Sequence, residues 1–194
     1  MTIVNFRMAI LLAATFAAVS CSGSAVVENG VATDEGIAAI ALPEEQLRFM
    51  LGQTVMGSQS GPMALYALGL DRGCEVFEKA RDQAVEHHLL SWRTNLVDAY
   101  RDNVPAEQLA DAVSSSPRAA QRQLASYLPA IGSAMQRASA PLLSRASTEV
   151  ISEMSNEARN VEPASIDQFE RQKELDRMKS KGKICGVGRA RLGA

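Results

Sequence analysis

Three cysteines and two adjacent histidines carry most of the chemical potential of this chain, and their spacing limits it sharply. Neither Cys74 nor Cys185 has a second Cys or a His at ligand spacing, so neither reads as part of a metal site. His87 and His88 are neighbours, and on a helix neighbouring side chains point about 100° apart, so the pair cannot chelate from one face. There is no HExxH, no GxSxG and no P-loop. Gly186-Val187-Gly188 is no dinucleotide fingerprint, because its third glycine is misplaced and no strand is expected before it. The carboxylates fall mainly on expected solvated helix faces. No catalytic set, no cofactor and no metal is therefore expected. The enzyme reading that remains is a site centred on His88; otherwise His88 is a packed core residue.

The third cysteine, Cys21, closes a different pattern. Arg7 gives a short basic start, Met8 to Val19 is a run of 12 apolar or small residues, and Ala18-Val19-Ser20-Cys21 ends it with small side chains. That is the layout of an export signal, since a membrane span needs roughly 18 or more apolar residues. The ending resembles the lipobox of bacterial lipoproteins, in which the cysteine is acylated and becomes the first residue; Ala18 stands where that pattern has Leu. Lipidation of Cys21, with the membrane as partner through that lipid, is the first expectation. Ordinary cleavage, for example after Ala25, would give a soluble periplasmic or secreted protein, and a retained N-terminal anchor is the third reading.

Lipidated or removed with the signal, Cys21 leaves Cys74 and Cys185 as an even pair in an oxidising compartment. A Cys74–Cys185 disulfide would close a loop of about 110 residues, worth about 4–5 kcal/mol in the chain-entropy model. Two free thiols are the alternative.

These residues need a scaffold, and composition says which kind. The chain is 46% hydrophobic but only 5% aromatic, with alanine dominant. Such a chain suits closely packed helices better than a sheet. The expectation is an all-α domain of five to seven helices, compact, with a long proline-kinked helix. Domain organisation reads as signal 1–20, flexible tether 21–41, helical domain 42–181 and basic Gly-rich tail 182–194. Residues 21–170 hold 11 basic and 20 acidic side chains, a balance of −9, whereas residues 171–194 hold 8 and 2, a balance of +6. Such a body repels phosphate, so nucleic acid is not an expected partner. The tail suits anionic lipid or an acidic envelope protein; alternatively it folds back along the acidic residues Glu75, Glu78, Asp82 and Glu86.

Along the chain, Leu42-Pro43-Glu44-Glu45 reads as a helix start running to about Val55. Pro62 opens a short apolar helix to Leu70, which Asp71-Arg72-Gly73 ends. A long helix follows from Cys74 to Arg101, with Phe77, Ala84, Val85, Leu89, Trp92, Leu96 and Ala99 on one face and His88 among them. Pro105 to Ser114 and a helix from Pro117 come next. The apolar stripe Leu124, Leu128, Ile131, Met135, Ala138, Leu142, Ala146 and Val150 keeps its phase across Pro129 and Pro141, as a kinked rod or coaxial segments would. This stripe is core or, in part, a ligand face made by Leu124, Leu128, Ile131, Met135 and Leu142. Ser165 and Gln168 form a capping box for a last helix to Lys181.

Tyr100, Val104-Pro105-Ala106-Glu107-Gln108-Leu109 and Ser116-Pro117-Arg118-Ala119 together resemble a bacterial exported family with a domain of unknown function. Its members join a long helix ending in Tyr to a Phe-Thr-x-x-Glu-Leu-like helix start and a Ser-Pro-x-Gly-like segment. The likeness spans Val85 to Ala140 and departs from the pattern at Val104-Pro105, Gln108 and Ala119. It implies an all-α periplasmic domain and no defined reaction. The expected function is an exported, lipid-anchored helical binding or structural module. The alternative is a hydrophobic-ligand carrier or chaperone using the Leu124–Val150 face.

Overall fold

The computed structural model of the chain describes residues 26–160, 173, 176–177 and 183–188. The signal 1–20, Cys21 and nearly all of the helix expected from Ser165 to Lys181 lie outside them; of that helix, Lys173, Asp176 and Arg177 are described and helical. The fold is all-α, with seven helices among the described residues. In chain order these elements are β1 (Val27–Glu28), β2 (Val31–Ala32), α1 (Asp34–Ala41), α2 (Pro43–Gly57), α3 (Ser60–Leu68) and α4 (Leu70–Asn103). After them come α5 (Ala106–Val113), α6 (Pro117–Gln123), α7 (Leu128–Asn160), β3 (Lys183–Ile184) and β4 (Val187–Gly188). Among the described residues no helix is long and apolar enough to cross a membrane.

The stretch expected as a tether to residue 41 is folded from Val27 onward. Asn29 and Gly30 both adopt positive φ, at 52° and 79°. They form the two-residue turn that an antiparallel hairpin's twist favours, and β1 pairs with β2 across it. Thr33 then caps α1 by accepting the Gly36 N–H at 3.1 Å. Ile37, Ile40 and Ala41 turn inward and are buried. Ion pairs from Asp34 to Arg101 (2.6 Å) and from Glu35 to Arg93 (3.1 Å) set α1 against α4.

The break before the long helix falls at Gly69, not at Gly73. Gly69 has φ +78°, a conformation that ends a helix cheaply only for a residue without Cβ. Gly73 lies inside α4 because the helices cross closely there: a Cβ on it would stand 2.7 Å from Leu65 Cδ1 and 3.2 Å from the Leu65 carbonyl oxygen. At 34 residues α4 is about 50 Å long.

Seven of the eight residues of the Leu124–Val150 stripe, Leu128 to Val150, lie on the one continuous helix α7. Leu124 alone stands before it, in the tight turn 124–127 closed by Tyr127 N–H donating to the Leu124 carbonyl at 2.9 Å. Pro129 occupies the first turn of α7, where its missing N–H costs nothing. Pro141 is tolerated inside α7. Contacts of Arg72 with Glu157 (3.1 Å), His88 with Glu149 (3.0 Å) and Asn95 with Ser139 (3.0 Å) run in opposite sequence directions. The two long helices are therefore antiparallel. Phe77, Leu96, Ala146, Val150 and Met154 fill the space between them and their neighbours, with Leu47, Leu51 and Val55 from α2 and Leu65 from α3.

Cys74 and Cys185 form the expected disulfide, with Cα atoms 5.1 Å apart. The end of the chain is not wholly irregular. Cys185 and Gly186 (φ 47° and 71°) make a second two-residue turn between β3 and β4. The hairpin packs on α2, where Gly52 leaves a seat for Val187: an added Cβ would lie 3.0 Å from Val187 Cγ2. Of the acidic residues on α4 expected to face the tail, Glu75 pairs with Arg72 and Asp82 with Arg48, both from the body.

Candidate functional site

Three helices leave an unfilled groove of about 710 Å³, inside the range typical of small-molecule sites. Its walls follow the four-residue ridges of each helix. From α2 come Gln46, Met50 and Thr54; from α4 come Trp92, Leu96 and Tyr100. The third wall is α7, through Leu128, Gly132, Gln136, Ala140 and Ser144 on one ridge and Ile131, Met135, Leu143 and Ser147 on the next.

Of the five residues read as a ligand face, the structure brings Leu128, Ile131 and Met135 into this groove. Leu124 and Leu142 instead pack in the core, at 2% and 4% exposure. Leu128 and Met50 are both 40% exposed and are groove-lining apolar side chains open to solvent. The contributions of α2 and α4 were not legible from the α7 stripe. Single-helix periodicity shows which residues point inward, and says nothing of where a third helix stands.

Gly132 gives one wall its shape. A Cβ built there meets nothing within 4 Å, so the missing side chain is empty groove. Among the described residues, no Asp, Glu, Lys, Arg or His lines the space. Polar character comes from hydroxyl, amide and indole groups, several already engaged. Gln46 donates to the Ala41 carbonyl at 2.7 Å, Thr54 to the Met50 carbonyl at 2.8 Å, and Ser147 to the Ser144 carbonyl at 3.0 Å. Two donors on α4 are not engaged. The buried Trp92 indole N–H has no acceptor among the described residues. Tyr100 is 5% exposed, and burial pushes its phenol above the ordinary value of 10.0.

His88 lies outside this groove. Its side chain is 16% exposed, and its Nε2 is 3.0 Å from Glu149 Oε1; the more exposed His87 Nδ1 stands 3.8 Å from the other oxygen of the same carboxylate. His88 is thus not a fully packed core histidine. It joins α4 to α7 at the surface of their contact. Among the described residues no group of three or more His, Cys, Asp or Glu is arranged to hold a metal ion.

Comparison with family models, with curated proteins and with solved structures found no match. The likeness over Val85 to Ala140 therefore rests on its quoted residues alone.

Proposed function

We propose that this chain is an exported binding protein that takes an elongated apolar small molecule into the α2–α4–α7 groove. The observation that carries this reading is the groove itself: a space of about 710 Å³ between α2, α4 and α7, walled mainly by Met, Leu, Ile, Trp and Tyr. Apolar side chains lining an open groove are left against water, a cost that an apolar ligand removes. The disulfide supports an oxidising compartment and so agrees with the signal-like start of the chain. Acylation of Cys21 belongs to the same proposal and would hold the binding domain at a membrane surface, where apolar ligands are met. Intact mass of protein from a membrane fraction tests that attachment.

The binding reading is tested with N-phenyl-1-naphthylamine, an uncharged dye that fluoresces in apolar surroundings. The wild type is expected to bind it saturably at one site. Gly132→Phe, whose Cβ has open space within 4 Å and whose ring is meant to fill the groove, is expected to remove that binding while the helical circular dichroism persists. Dye binding unaffected by Gly132→Phe would place the ligand elsewhere and overturn the reading.

A further inference from the structure

If the groove is the binding site, its lining also says which ligands it refuses. We infer that it selects uncharged ligands with an apolar chain and a hydrogen-bond acceptor such as an ester carbonyl, and discriminates against carboxylate and ammonium head groups on the same chain. This rests on the binding reading above.

The inference follows from what lines the space. A charged group taken out of water needs a counter-charge or a full set of hydrogen bonds, and a site without them rejects it. Among the described residues, no side chain ionised at neutral pH lines the groove. The arginines of α2 and α4 that adjoin the lining are paired outside it: Arg48 to Glu44 and Asp82, Arg93 to Glu35, and Arg101 to Asp34. A carboxylate held within the groove would meet no cation among the described lining residues, and an ammonium no anion. A purely hydrocarbon ligand would leave the Tyr100 hydroxyl in an apolar contact. A phenol is protonated at neutral pH, and this one, on the groove wall, is the donor that an ester carbonyl satisfies.

A matched dodecyl series tests this by displacement of N-phenyl-1-naphthylamine: methyl dodecanoate, dodecanoate, dodecylammonium and dodecane. The ester is expected to displace dye at roughly tenfold lower concentration than either ion. Tyr100→Phe is expected to weaken the ester about fivefold and leave dodecane unchanged, the size of one neutral hydrogen bond. Because ions are also more soluble in water, the decisive comparison is Gln136→Lys, which places a cation on the wall. It is expected to reverse the order, drawing dodecanoate above the ester. Equal displacement by ester and dodecanoate, or a Gln136→Lys protein with the wild-type order, would overturn the selectivity while the dye still binds. Absence of any dye binding would instead overturn the groove as a site.

Discussion

Val187 of the C-terminal hairpin sits against Gly52 of α2, and it is held there by the disulfide between its near neighbour Cys185 and Cys74 of α4. The link spans 111 residues, and the helix it steadies carries Gln46, Met50 and Thr54 on the groove. Stability and groove geometry thus share one covalent tie.

Replacing both cysteines, Cys74→Ser with Cys185→Ser, should lower the unfolding free energy by about 2–4 kcal/mol. Urea unfolding of the variant beside the wild type, with and without reductant, measures it. A reductant-insensitive wild type would contradict the tie.

Two glycines should respond oppositely to alanine. Gly61 lies where α3 begins against the end of α2, and a Cβ there would collide with the Val55 carbonyl oxygen and come within 3.0 Å of its carbon. Gly61→Ala should cost about 1–3 kcal/mol, since backbone must move. Gly132 is inside α7 with open space around it. Gly132→Ala should stabilise by about 0.5–1 kcal/mol through helix propensity and a stiffer unfolded chain. Thermal unfolding of both variants checks the two signs together.

Ser139 is wholly buried in α7 and accepts a hydrogen bond from Asn95 at 3.0 Å. Asn95 is only partly buried, so Ser139→Ala leaves it able to turn to water. Asn95→Ala leaves the serine with Met135 sulfur alone, at 4.0 Å. Asn95→Ala should be the more costly, by about 1–2 kcal/mol; equal losses would contradict the asymmetry.

Alkaline stability should fall through Tyr100. Burial raises its folded pKa above 10.0. Below about pH 10 both folded and unfolded chains hold the proton, and the contribution is fully present. Above it the unfolded chain releases its proton first, so stability declines until the folded phenol also ionises. Tyr100→Phe should flatten that decline above about pH 10 in denaturant titrations.

Much of this molecule was legible in its sequence where one helix decides the outcome. The inward faces of α4 and α7 follow from Phe77, Trp92, Leu96, Ile131, Met135 and Val150 at helical spacing, and the disulfide follows from cysteine parity. Asn29-Gly30 carried a hairpin signal, yet its small polar neighbours resembled a linker. Of two nearby glycines, only contact with Leu65 and a positive φ reveal that Gly69 ends a helix and Gly73 continues one. The groove was half visible: Leu128, Ile131 and Met135 announce an apolar wall, but the α2 wall is set by how α2 packs across two distant helices.

Trp92 is the single tryptophan of the chain and lies in the groove wall, so its fluorescence reports ligand contact at one known place. Titration with methyl 9,10-dibromostearate, whose bromines quench tryptophan on contact, tests the binding groove most directly. Saturable quenching in the wild type, lost in Gly132→Phe and retained in His88→Ala, is the expected result. An unquenched Trp92 under conditions where the brominated ester is bound would show that the ligand lies elsewhere and contradict the assignment.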